Sequence, residues 1–190
     1  MDELKNITVR KATEQDCVEL QKLNYSGTST RMFSLAMDGT TLSLKEVELP
    51  DPVVIESEHY KGITEEVLPN INNPEYIALV VCSGDKPLGW VLASWKQRKM
   101  TKVMVVWGIL VASEARGKGC ADALIDELIK IAKKEPGCDG IRVEMDTTKY
   151  SACKLLLRKD FKFAGTELYV WHSGPPTQFS KEVLYFFYQL

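Results

Sequence analysis

The sequence predicts an α/β fold, α+β in its layout, on three observations. Three apolar strand-like runs follow one another with short turns between them: Tyr76 to Cys82, Leu88 to Trp95 and Met104 to Val111. A basic glycine loop, Arg116-Gly117-Lys118-Gly119-Cys120-Ala121, then joins the last of these runs to a helical pattern at Ala121, Leu124, Ile125, Leu128 and Ala132. After that helix come a strand, a second helix and two more strands, so helices and strands alternate after the block of consecutive strands.

The elements can be justified in order. Ile7, Val9 and the basic Arg10-Lys11 alternate as a short strand. Thr13 to Asp16 reads as a helix start, with Thr13 as N-cap and Asp16 reaching back to it. The apolar side of that helix is Cys17, Val18, Leu20 and Leu23, ending near Tyr25-Ser26-Gly27. Residues 27–74 are rich in Gly, Ser, Thr, Asn and Pro. Phe33, Leu35, Met37, Leu42, Leu44 and Val47 alternate there as a strand or extended arm, and Glu56 to Leu68 is a candidate helix. This stretch is a candidate acceptor surface or a packed connector. Ser83-Gly84-Asp85-Lys86 and Arg98 to Lys102 are turns between the three strands. The Met104–Val111 run is nearly all apolar, as a central strand is. The helix after the glycine loop runs to about Lys134 and carries Lys130, Lys133 and Lys134 late, where the helix dipole favours cations. Gly140 to Asp146 is a strand and Tyr150 to Lys159 a helix with Ala152, Cys153, Leu155 and Leu156 inward. A strand runs from Phe161 to Trp171, Gly174-Pro175-Pro176 breaks it, and Val183 to Tyr188 is a last apolar strand that needs cover, which a homodimer would give.

Composition narrows the function. The 190 residues suit one domain, 1–190, with a proper core. With 24 basic and 26 acidic residues and no basic block, nucleic acid is excluded as the expected partner. No apolar run reaches the ~18 residues of a membrane span, and Met1 to Lys5 lacks the apolar core of a signal peptide. Five scattered cysteines without a Cys-x-x-Cys pair fit buried thiols in a reducing cytoplasm. Two histidines, His59 and His172, exclude a histidine-rich metal site, so no metal is expected.

The glycine loop is the richest signal. A helix N-terminus presents backbone N–H groups without intrahelical partners, and its dipole adds positive charge. Glycines let a pyrophosphate approach, and Arg116 and Lys118 add formal charge. A Walker A loop would need Gly-Lys-Ser/Thr, but Gly119 stands where the hydroxyl belongs. A dinucleotide fingerprint needs a third glycine where Asp122 stands. The pattern Arg-x-x-Gly-x-Ala, at Arg116, Gly119 and Ala121, resembles the acetyl-CoA pyrophosphate loop of the GNAT superfamily of N-acetyltransferases. The order of elements resembles that family over nearly the whole chain. Gly140 to Glu144, Ser151-Ala152-Cys153, Phe161 with Ala164-Gly165 and the aromatic end after Glu182 resemble streptothricin acetyltransferases.

The resemblance implies a GNAT fold: a central mixed, mostly antiparallel sheet splayed between two strands and flanked by helices on both faces. It implies that acetyl-CoA enters the splay, with the backbone of Ile109 and Val111 pairing with pantetheine and the N–H of Leu110 polarising the thioester carbonyl. Arg116, Gly117, Lys118, Gly119, Cys120 and Ala121 would hold the pyrophosphate, and Lys149 stands at a cofactor-contacting position. The implied activity is direct acetyl transfer to a primary amine of a small molecule, a streptothricin-like antibiotic being one option. A protein or peptide amine, or a module that binds acetyl-CoA without transfer, remain alternatives. Four positions depart from the family: Trp107 replaces a glutamate base, Leu156 a tyrosine acid, Lys149 an asparagine and Asp160 a glycine. Glu144 is the candidate base or anchor for a cationic amine, or else an ion-pair partner on a solvated face. Tyr150 is a candidate acid or a surface aromatic, and Tyr169 and His172 are weaker candidates for either job. Trp107 is read as core filler, with a wall of the acceptor pocket as the alternative. Cys120 and Cys153 are read as packing.

Overall fold

The structure, a computed structural model, describes residues 7–55, 63–98, 101–167 and 183–190. Its strands are β1 (Ile7–Lys11), β2 (Gly27–Asp38), β3 (Thr41–Ile55), β4 (Tyr76–Ser83), β5 (Lys86–Arg98), β6 (Thr101–Val111), β7 (Cys138–Asp146), β8 (Lys162–Glu167) and β9 (Val183–Gln189). Its helices are α1 (Glu14–Leu20), the short α2 (Leu68–Asn70), α3 (Cys120–Lys134) and α4 (Tyr150–Arg158). A π-helical turn, Ile63–Val67, leads into α2. Among the described residues no helix is long and apolar enough to cross a membrane.

The chain divides into two compact units, one of residues 1–27, 55–141 and 190, the other of residues 28–54 and 142–189. The first unit orders its strands β1-β4-β5-β6, followed by the opening residues of β7. Pairing from β1 to β6 is antiparallel throughout. β6 and β7 are neighbours joined through α3, the helical crossover that parallel neighbours need, so the sheet is mixed. α3 lies on β1, β4, β5 and β6 through Leu124, Ile125 and Leu128, each fully buried. Burial of one such leucine stabilises by about 1.5–3 kcal/mol. On the sheet, Val80, Val81, Leu88, Val91, Leu92, Ala93 and Met104 are buried, because both faces of these strands are covered.

α1 begins as its sequence says. Asp16 accepts from the Thr13 N–H at 2.8 Å, and the Asp16 N–H donates to Thr13 Oγ1 at 3.3 Å, a reciprocal capping box. The Arg10 guanidinium adds two hydrogen bonds to the same carboxylate, at 2.6 and 2.8 Å. The helix is shorter than its apolar pattern implies. It ends at Leu20, where Gln21 caps it, and Lys22 and Leu23 turn off through bonds to Glu19 and Leu20.

In the second unit, the loosely alternating stretch after Gly27 is two long strands, β2 and β3, forming a two-stranded sheet. The rest of β7 lies next to β9, and β9 next to β8. Phe161, Leu184 and Phe186 are fully buried, and Val183 is buried too, so β9 has cover within the chain itself. α4 ends on Asp160 at φ +64, where the Phe161 N–H returns to Leu156 O at 3.1 Å. A left-handed residue there is usually glycine, and Asp tolerates it better than most side chains.

Arg98, Thr101 and Lys102, expected in a turn, are strand residues. β5 runs on to Arg98 and β6 starts at Thr101. The proposed helix from Glu56 is described only from Ile63 onwards, where it is the π-helical turn and α2. His59, Tyr169, Trp171, His172 and Gly174-Pro175-Pro176 lie outside the described residues.

Candidate functional site

β6 delivers the chain to the glycine loop, and its register decides what each residue there can do. Leu92 pairs with Gly108 while Ala93 pairs with Val106, so Trp107 is an extra residue in a β-bulge. The bulge turns Trp107 outward. The residue is 47% exposed, its Nε1–H donates to Ser94 Oγ at 2.7 Å, and Lys96 Nζ stands 4.6 Å from the ring centroid. Trp107 is therefore not core filler: a bulged residue leaves the alternation that would have buried it.

Beyond the bulge the backbone alternates again. The Ala112 N–H donates to Leu88 O at 2.8 Å, so Ala112 faces β5, and Leu110, two residues earlier, faces β5 as well. A Cβ built on Gly89 would lie 2.5 Å from the Leu110 oxygen, which agrees. The main-chain groups of Ile109 and Val111 point away from β5. The Leu110 amide, expected to polarise a thioester, is thus directed into the ladder.

Arg116 also differs from its expected role. Its guanidinium donates to three carbonyls, Val111 O at 3.3 Å, Ser26 O at 3.0 Å and Tyr25 O at 2.5 Å. Ser113 adds bonds to Asn24 O and Ser26 O at 2.9 and 2.7 Å. Arg116 ties the end of β6 to the segment after α1, with three of its N–H groups engaged in that tie.

The rest of the loop is open. A short 3-10 turn, Ser113–Ala115, precedes Gly117 at φ +71 and Gly119 at φ +82. Gly119 is the N-cap of α3, and no side chain caps that helix start. A Cβ built at Gly117 or Gly119 would meet nothing within 4 Å, so the glycines serve the left-handed turn and leave the space above it clear. The first amides of α3 have no intrahelical acceptors and point into that space. Lys118 is exposed beside them, and Ala121 is half-buried. Cys120 faces inward, and burial pushes its thiol pKa up.

The remaining candidates belong to the second unit. Glu144 is exposed on β7, with Ile141 and Val143 buried on the alternate positions, and forms an ion pair with Arg142 at 2.7 Å. Lys149 is the N-cap residue of α4, and its carbonyl accepts from the Ala152 and Cys153 amides. The Tyr150 hydroxyl donates to Glu46 on β3 at 2.6 Å, and its ring stacks on Phe33 of β2 at 5.4 Å. Lys154 reaches the same Glu46 at 2.6 Å. The hairpin β2–β3 thereby holds the first turn of α4. Cys153 is fully buried, and desolvation pushes its thiol up to about 12, which removes it as a nucleophile near neutral pH.

One residue near the bulge was missed in the sequence. Glu66, on the π-helical turn, brings its carboxylate to β6: Oε2 would lie 4.0 Å from a Cβ built at Gly108. Glu66 is far from Gly108 in the chain, and its neighbours give no periodic signal. The clue available was Gly108 itself, a side-chain-free position inside an apolar strand.

Comparison with known proteins agrees with this layout. The model of the Acetyltransferase (GNAT) family matches residues 41–163. No curated protein sequence matches the chain significantly. The crystal structure of a nourseothricin acetyltransferase is 20% identical, covers 96% of this chain and 98% of that one, and has a TM-score of 0.74. A protein described as a streptothricin acetyltransferase from Bacillus anthracis str. Ames, in complex with acetyl coenzyme A, is 17% identical over 97% of this chain and 100% of that one, with a TM-score of 0.78. A ribosomal-protein-alanine N-acetyltransferase from Brucella melitensis is 20% identical over 96% and 99%, with a TM-score of 0.60. At these identities the likeness is one of fold.

Proposed function

The chain belongs to the GNAT acetyltransferase family, and from that premise we propose that it transfers the acetyl group of acetyl-CoA directly to a primary amine of a small molecule. The observation that carries this reading is the uncapped start of α3 behind Gly117 and Gly119, with open space above both glycines. A pyrophosphate fits there because it needs backbone donors, a positive local field and no side chain in the way. Gly117, Lys118, Gly119, Cys120 and Ala121 hold it through their amides, with the Lys118 ammonium alongside. Arg116 supports the loop from behind.

The position of the pyrophosphate sets the direction of the rest of the donor molecule. Val111 is nearer the loop and Ile109 farther along β6, so pantetheine pairs at Val111 and the thioester lies at Ile109. The polarising donor is then the Ile109 N–H, in place of Leu110, because it points away from β5. Such a donor stabilises the negative charge that grows on the thioester oxygen as the amine attacks.

A small-molecule acceptor is favoured over a protein because the nourseothricin and streptothricin enzymes superpose with TM-scores of 0.74 and 0.78, against 0.60 for the ribosomal-protein enzyme. The test is CoA thiol release from acetyl-CoA with nourseothricin, spermidine and an alanine-led peptide as acceptors. Turnover of nourseothricin or spermidine well above the peptide is expected. Turnover of the peptide alone would overturn the small-molecule reading.

A further inference from the structure

We propose that Glu66 is the catalytic carboxylate that takes the proton from the acceptor amine, an inference that rests on β6 being the strand that holds acetyl-CoA. The family glutamate is missing from β6, where Trp107 stands, yet a carboxylate still arrives at that point of the strand from elsewhere in the first unit. Glu66 Oε2 would lie 4.0 Å from a Cβ at Gly108, the residue immediately before Ile109. Gly108 carries no side chain, and the space a Cβ would fill is taken by the Trp90 ring, 2.8 Å away. Among the described residues the Glu66 carboxylate has no hydrogen-bond or ion-pair partner, in contrast to Glu46, Glu48, Glu114, Glu135 and Glu144.

The backbone beneath Glu66 is fixed although the side chain is exposed. Ile63 and Val67 on either side are buried, and Asn70 Nδ2 donates to the Glu66 carbonyl at 2.7 Å. A π-helical turn inserts one residue into a helical turn, and such turns concentrate at functional sites.

The surroundings suit a cationic amine. Trp90, Ser94 and Lys96 share one face of β5 by alternation. A Cβ at Gly108 would meet the Trp90 ring at 2.8 Å, and Trp107 bonds Ser94 and lies under Lys96, so the Glu66 carboxylate and the exposed indole are on that same face. The Lys96 ammonium over Trp107 shows that the ring face accepts an amine cation.

The step balances as follows. The bound ammonium first gives one proton to water; the neutral amine nitrogen then attacks the thioester carbonyl carbon, forming the C–N bond, and the C–S bond breaks with its electron pair going to sulfur. The proton lost by nitrogen passes to Glu66 and from there to the thiolate, leaving the N-acetyl amide, the CoA thiol and an ionised Glu66. A positioned base of this kind contributes about 10²–10⁴-fold to rate.

The experiment compares Glu66→Gln and Glu66→Asp with wild type, using nourseothricin, spermidine and an alanine-led peptide as acceptors. Acetyl-CoA should raise Tm equally in all three proteins. For whichever acceptor wild type uses, Glu66→Gln should lower kcat by about 100-fold or more with KM little changed, and Glu66→Asp, which keeps a carboxylate, should retain more activity than Glu66→Gln. A kcat for Glu66→Gln within about threefold of wild type, or equal losses in both variants, overturns the proposal alone. A wild-type protein that gains no Tm from acetyl-CoA, or that binds it and releases no thiol with any of the three acceptors, overturns the acetyl-transfer reading and this role with it.

Discussion

Gly119 shows how one backbone angle prepares a site. At φ +82 it starts α3 with its amides uncovered, and no neighbour lies within 4 Å of where a Cβ would stand. Asn and Asp tolerate this left-handed conformation better than other side chains, so Gly119→Asn and Gly119→Asp should both fold. The two differ in one charge. Gly119→Asp sets a carboxylate against the pyrophosphate, and a like-charge approach of this kind costs several kcal/mol, which should weaken acetyl-CoA binding by about two orders of magnitude or more. Gly119→Asn should lose far less. Calorimetric titration with acetyl-CoA checks both, and equal affinities in the two variants would remove the pyrophosphate from this turn. This glycine was legible in the sequence because a left-handed turn and a helix start are local events. The Leu110 amide was not: its direction depends on a bulge one residue long at Trp107, and an unbroken apolar run gives no sign of an inserted residue. Glu66 was hidden for the opposite reason, since only the folded backbone brings it to Gly108.

Elements were legible where their ends carry their own chemistry. The start of α1 was readable because Thr13 and Asp16 form a capping box, and the start and end of α3 because Gly119 precedes it and Pro136-Gly137 follow it. β2 and β3 were blurred because Gly, Ser and Pro break their alternation, although pairing gives them 12 and 15 residues. The end of α1 was misjudged because Leu23 continues the apolar pattern past the last helical turn. The cap of α1 also carries a pH dependence. Hydrogen bonds from Arg10 hold the Asp16 carboxyl down at about 2, with further bonds from Thr13 acting the same way and burial opposing them. An unfolded aspartate titrates near 3.9, so the unfolded chain binds the proton first as acid is added. The stabilisation is therefore complete above about pH 4 and is lost as pH falls from there through about 2. Because Arg10 stands partly in solvent, the contribution should be about 1–2 kcal/mol, below what the full shift implies. Asp16→Asn should be less stable than wild type by that amount in urea unfolding at pH 7, and the gap should close as pH approaches 2. A gap that stays constant with pH would mean that the carboxylate's charge is irrelevant to the junction between β1 and α1.

At the scale of the molecule, ligand binding and stability are one equilibrium. Acetyl-CoA that binds only the folded chain adds about 2.7 kcal/mol at a concentration 100 times its Kd. For a chain of 190 residues that should raise Tm by about 5–10 °C. The location of the gain is more telling than its size. Before binding, the first amides of α3 have no intrahelical acceptor and should exchange with solvent quickly, while the buried turns around Leu124, Ile125 and Leu128 exchange only through larger openings. Pyrophosphate oxygens in the cradle would give those first amides acceptors. Hydrogen exchange should therefore slow most at residues 117–122 and at the amides of Ile109 and Val111, while β1 and its ion pair to α1 gain only what global stabilisation gives. The Leu110 amide provides an internal control. It already faces β5, so its protection should follow the global change, whereas the amides of Ile109 and Val111 should gain more. If Leu110 instead gained the largest local protection, the thioester donor would return to Leu110 and the register argument through the Trp107 bulge would be wrong.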